Sequence, residues 1–150
     1  MEQRLNMFEL APEAYEAIIA LENYAKANVD PTLFELIKTR ASMIHGCAFC
    51  VDMHTTDALA EGEDLRRIVA LSAWRESSFF TDAERSVLAL TDAVTRLGEE
   101  GVTDAVWNAV GLHFGESEVT NIVMAIAAMN VWNRLAVTIH QATPPLKTRN

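Results

Sequence analysis

Between Glu116 and Gln141 the sequence reads ESEVTNIVMAIAAMNVWNRLAVTIHQ, and at helical spacing its apolar residues cover most of the circumference from Val119 through Val137. Such a helix has to be covered on all sides, by its own domain or by a neighbouring subunit. In a chain of 150 residues the second option is favoured, and a homo-oligomer is expected, although a central bundle helix has the same pattern. The most apolar run, Ile122–Met129, is interrupted around its ends by Asn121, Asn130, Asn133 and Arg134. It falls short of the roughly 20 apolar residues of a membrane span, so no membrane association is expected.

The rest of the chain also reads as helix. PEAYEAIIALENYAKAN repeats apolar residues amphipathically. Asp30-Pro31 supplies an N-cap acceptor followed by proline at the first helical position, ahead of PTLFELIKTRASMIHG. Gly46 permits a break before a second helix, from about Cys47 to Ala60, that Gly62 ends. A short helix covers EDLRRIVALSAWRES, Thr81 and Glu84 form a capping box before ERSVLALTDAVTRLG, and another short helix covers TDAVWNAVGLHF. No stretch alternates apolar and polar residues with β-branched enrichment, so the fold expected is all-α, a single domain of about six to eight helices.

An excess of acid, 21 Asp+Glu against 12 Lys+Arg, leaves the chain at −9 and gives it no electrostatic reason to approach nucleic acid or anionic lipid. The opening MEQRLNMFEL lacks the apolar core of a secretory signal, and a cytoplasmic protein is expected. In a reducing compartment two cysteines are better suited to reaction or metal binding than to a permanent staple.

Both cysteines fall in His45–His54, HGCAFCVDMH. With Cys47 at zero on a helix, Cys50 lies at roughly 300° and His54 at roughly 340°, so all three share one face. The exposed N–H groups after Gly46 stabilise a thiolate at Cys47, and an imidazole one turn beyond Cys50 can accept its proton. Free cysteine titrates near pH ~8.5, and such surroundings lower that value. The pair could be two idle core thiols, a zinc site completed by His45 and His54, or a redox centre. A helix places His45 at roughly 160°, away from the other three, and no second ligand cluster exists in the sequence. A thioredoxin-like domain is excluded by the missing βαβ pattern. The reading preferred is a helical redox centre, in which a thiolate and its neighbouring thiol cycle through a disulfide.

FELIKTRASMIHGCAFCVDMHTTDALAEG closely resembles the core motif of the alkylhydroperoxidase AhpD-like family, within the carboxymuconolactone decarboxylase superfamily. The pattern is a glutamate, eleven residues, then Cys-x-x-Cys-x-x-x-His, matched by Glu35, Cys47, Cys50 and His54. NMFELAPEAYEAIIALE, TDAERSVLALTDAVTRL and NVWNRLAVTIH extend the resemblance over nearly the whole chain. It implies an all-helical trimer or hexamer with thiol-dependent peroxidase activity and no metal, flavin or other cofactor. Carried over by position, Cys50 becomes the sulfenic acid, Cys47 is the proton donor and resolving thiol, and His54 and Glu35 form the proton relay. The implied partners are a small hydroperoxide and a dithiol reductant of lipoyl or thioredoxin type. Some members carry a histidine just before the second cysteine, where this chain has Phe49, with a histidine at His45 instead. A lactone enzyme of the carboxymuconolactone decarboxylase type and a non-enzymatic redox sensor or scaffold are the alternatives.

Other polar and aromatic residues have plainer readings. Lys38 and Arg40 read as a solvated face, with a possible acidic partner for Arg40, and Asp52 points off the Cys50–His54 face. His113 reads as a helix-end residue and His140 as an exposed one. Trp74, Trp107 and Trp132 read as core or interface fillers. Asn133-Arg134 reads as a capping or intersubunit pair.

Overall fold

The computed structural model describes residues 2–146. It contains α1 (Met7–Leu10), α2 (Pro12–Asn28), α3 (Pro31–His45), α4 (Ala48–Ala60), α5 (Leu65–Ala70), a 3-10 segment (Leu71–Glu76), α6 (Asp82–Thr95), α7 (Asp104–Gly111) and α8 (Glu116–Ile139). No strand occurs among the described residues. Local chemistry sets the boundaries. Asp30 Oδ1 accepts the Leu33 N–H at 3.1 Å, and Thr81 with Glu84 closes a reciprocal capping box at the start of α6. Two boundaries differ from the sequence reading. The chain kinks at Ala73 (φ −130°, ψ 36°), splitting EDLRRIVALSAWRES into α5 and the 3-10 segment, and the short α1 precedes the proline that opens α2.

The long apolar helix lies inside the bundle, packed chiefly on α3 and α2 and also on α6, α4 and α7. Its circumference is thus largely covered within the chain, leaving Met124, Val131 and Val137 exposed. By length and composition alone the 24-residue α8 could cross a membrane, as a central bundle helix also could, but nearly half of its most apolar stretch is buried against the other helices and its polar residues interrupt it. Two of those residues are internal: Asn130 donates to Thr95 Oγ1 and Asn133 to Ser42 Oγ, each at 3.1 Å.

The second central element is α3, and here the sequence reading needs correction. Every residue from Phe34 to Ser42 is buried, including Lys38 and Arg40, which had read as solvated. Four helices surround α3, so its charges turn to internal partners instead of water. Arg40 forks onto Asp92 through Nε at 2.6 Å and Nη2 at 3.0 Å and donates to the Leu71 carbonyl at 3.0 Å. Asp92 also receives Arg75 at 2.5 Å and Arg96 at 3.2 Å. Burial alone pushes the Asp92 carboxyl up, but the hydrogen bonds and charges of Arg40 and Arg75 outweigh it and hold the group below the ordinary carboxylate range. Lys38 pairs with Glu22 of α2 at 2.5 Å.

Candidate functional site

The α3–α4 corner is made by two linked caps. Gly46 takes the left-handed conformation (φ 65°, ψ 32°), its N–H bonds the Met43 carbonyl at 3.3 Å, and the Cys47 N–H bonds the Ser42 carbonyl at 3.1 Å. This is a Schellman ending, in which a residue without Cβ bears the left-handed turn at no steric cost. Cys47 then serves as N-cap of α4, its Sγ accepting the Cys50 N–H at 3.3 Å. Cys47 is therefore the cap, with extended backbone, and stands just outside the helix in which the spacing had placed it. It meets Cys50 all the same: the two are disulfide-bonded, with Cα atoms 5.3 Å apart.

The tight corner lays α4 against α3, which brings Glu35 opposite His54. Glu35 Oε2 lies 3.5 Å from His54 Nδ1, within ion-pair range but too long for a good hydrogen bond. Neither atom has a hydrogen-bond partner among the described residues. His54 is 2% exposed and Glu35 8%, so two titratable groups face each other in a nearly dry interior. The structure thus gathers Glu35, Cys47, Cys50 and His54 in one place. His45 stays apart, its Nδ1 3.1 Å from the Ala41 carbonyl, and Asp52 is exposed. Among the described residues no three His, Cys, Asp or Glu side chains are placed to hold a metal ion.

Three openings reach this cluster. Cys50 and His54 border a cavity of about 320 Å³ walled by Tyr15, Phe49, Met53, Trp132 and Leu135. Its polar contributors include Glu22, fixed by Lys38, and Gln141. Cys47 borders a separate depression of about 490 Å³ between the start of α4 and the segment following α8. Glu35 reaches a third, of about 280 Å³, beside Thr32, Glu61, Glu63 and Arg67.

Sequence reasoning missed most of the Cys50 cavity. Trp132 had read as filler; it lines the cavity and stacks edge-on with Tyr15 at 5.0 Å, which in turn meets Phe8 at 5.5 Å. Met7 joins that wall because Arg4 ties the N-terminal segment to the end of α8, through its N–H to Ile139 O and its guanidinium to Thr138 O. Glu22 carried no motif signal; only its place on α2, four residues before Lys26 on an amphipathic stretch, could be read. Of the other tryptophans, Trp74 is core and Trp107 is exposed. His140, read as exposed, is half-buried as the left-handed cap of α8 (φ 56°), and Arg134 bonds back to Asn130 on its own helix.

The sequence model of the carboxymuconolactone decarboxylase family matches residues 12–93. The uncharacterized protein YdfG of Bacillus subtilis is 37% identical over 140 residues, which span 93% of this chain and 95% of that one. A crystal structure of a protein of unknown function from Agrobacterium tumefaciens, suggested to be the antioxidant defence protein AhpD, superposes with a TM-score of 0.94 at 40% identity, covering 97% of this chain and 100% of that one. A debrominase, also solved with 2,3,4-tribromopyrrole, shares the fold at a TM-score of 0.80 and 18% identity, over 91% of this chain and 74% of its own.

Proposed function

The chain belongs to the carboxymuconolactone decarboxylase family, and on that premise we propose that it is an AhpD-like thiol peroxidase, reducing hydroperoxides through the Cys47–Cys50 pair. The observation that carries the reading is the disulfide-forming pair set beside a buried carboxylate–imidazole couple, with one sulfur opening onto an apolar cavity. The suggested antioxidant role of the Agrobacterium relative agrees with it.

In the reduced protein His54, four residues after Cys50 on α4, takes the Cys50 proton, and Glu35 orients and balances the resulting imidazolium. The Cys50 thiolate attacks the distal peroxide oxygen; the O–O bond breaks, Cys50 becomes the sulfenic acid and the alkoxide leaves as an alcohol. Its proton comes from Cys47 or through His54 and Glu35, which communicates with the third opening. The Cys47 sulfur then displaces hydroxide from Cys50 to form the disulfide, and an external dithiol restores both thiols. No cofactor enters this cycle. A cytoplasmic setting, where dithiols are kept reduced, suits it. Assembly as a trimer or hexamer is part of the proposal, supported by Leu65 and Val69, exposed four residues apart on α5.

Thiol titration with and without one equivalent of hydroperoxide tests the function. Loss of two thiols per chain in the parent, and continued turnover when dithiothreitol is added, is the expected result. A single oxidation without turnover indicates a sensor, and no oxidation at all removes the peroxidase reading.

A further inference from the structure

The sulfur pair bridges two openings. The cavity that touches Cys50 does not touch Cys47, and the depression that touches Cys47 does not touch Cys50. Phe49, Ala136 and Gln141 border both, so the two spaces adjoin there. Each end of the S–S axis thus belongs to a residue that borders an opening of its own. Thiol–disulfide exchange passes through a near-linear array of attacking, central and leaving sulfurs, so the side from which a nucleophile arrives decides which sulfur it attacks.

We propose that the two half-reactions are served from different openings, with hydroperoxide entering the apolar cavity at Cys50 and the reducing thiol entering the depression at Cys47. The inference rests on the peroxidase reading and specifies how the reductant reaches the same pair. Condensation uses the axis in one direction: Cys47 attacks Cys50, and hydroxide departs into the Cys50 cavity. Reduction uses it from the other end. A dithiol thiolate bonds to Cys47 Sγ, the Cys47–Cys50 bond breaks, and the electron pair stays on Cys50, which takes a proton from His54. The second thiol of the reductant then attacks its own bound sulfur and releases Cys47, so the reductant gives up two electrons and both cysteines regain their protons.

The two spaces differ in the way this division requires. The Cys50 cavity has Met129 and Ile139 as well as Cys50 and His54 buried in its wall. The Cys47 depression is rimmed by exposed Gly46, Ala48, Val137, Ala142 and Thr143. Cys47 itself is only 3% exposed, so the reductant must carry its thiols on a slender chain that passes between these small residues.

Tryptophan substitutions at half-exposed positions plug one opening at a time without disturbing the core: Val137→Trp at the depression and Met53→Trp at the cavity. Stopped-flow measurement of each half-reaction, with cumene hydroperoxide for oxidation and dithiothreitol for reduction, gives the readout. Val137→Trp is expected to slow reduction about tenfold relative to oxidation, and Met53→Trp to slow oxidation about tenfold relative to reduction. Oxidised parent protein treated with 2-mercaptoethanol and quenched with an alkylating agent is expected to carry the mixed disulfide on Cys47 and the alkyl group on Cys50. Equal slowing of both half-reactions by either plug, or a mixed disulfide on Cys50, overturns the proposal. Should no hydroperoxide oxidise the protein, the peroxidase reading fails alone; diamide then supplies the disulfide, and the reduction rates of the two variants still decide the route.

Discussion

Glu35 Oε2 and His54 Nδ1 face each other across 3.5 Å, and each is the other's polar neighbour in a wall of buried side chains. A carboxylate so placed keeps the imidazole turned toward α3, the orientation the proposed proton transfer from Cys50 needs. The expected result is a loss of oxidation rate of about a hundredfold for His54→Ala and about tenfold for Glu35→Gln. Iodoacetamide alkylation of Cys50 in reduced Cys47→Ser protein, followed across pH, separates this from a structural effect. The Glu35→Gln profile should move while the melting temperature stays near that of the parent.

The proposed order, Cys50 before Cys47, is supported by the surroundings of the two sulfurs. Cys50 shares a cavity with His54, whereas Cys47 caps the helix and opens elsewhere. Peroxide-treated Cys47→Ser protein should accumulate a sulfenic acid on Cys50 that a dimedone-type reagent labels and mass spectrometry maps. Cys50→Ser protein should give no comparable label. Labelling of Cys47 in that variant at the same rate reverses the assignment.

Asp92 holds three arginines together, and removing its charge leaves the buried Arg40 guanidinium without its counterion. Asp92→Asn should destabilise the protein by about 3–5 kcal/mol, read from urea midpoints. Because the folded carboxyl titrates below its ordinary value, its contribution is fully present above about pH 4 and is lost as pH falls through the folded value. Urea midpoints of the parent should hold between neutral and mildly acidic pH and drop below that window. The Asp92→Asn protein should lack this part of the acid dependence.

Gly46 turns the corner in a conformation that L side chains resist, although open space surrounds the position of a Cβ. Gly46→Ala should therefore cost about 1–2 kcal/mol through the backbone alone. The same strain bears on Cys47, the next residue, so the disulfide of the variant should be reduced by dithiothreitol at a changed rate. A denaturant titration paired with that rate tests both effects.

Helix starts and stops were legible because capping is chemistry between residues three or four apart: Asp30 with Leu33, Thr81 with Glu84, Met43 with Gly46. The meeting of Cys47, Cys50 and His54 was legible for the same reason, and the exchange of first-turn residue for N-cap at Cys47 left that meeting intact. The burial of Lys38 and Arg40 was not legible. Hydropathy ranks a charged residue by its cost in isolation, and that cost changes when Glu22 and Asp92 arrive from other helices.

By itself, then, the amino-acid order determined an all-helical chain with a four-residue constellation of Glu35, Cys47, Cys50 and His54, since periodicity, caps and motif spacing are short-range properties. Tertiary packing decided what surrounds the constellation. Tyr15 and Glu22 come from α2 and Trp132 from α8, and only the packing of those helices beside α4 makes a cavity at Cys50 and a separate opening at Cys47. Contacts across such distances along the chain leave no periodic trace, because each side chain's partner is set by how whole helices pack and not by its neighbours in sequence.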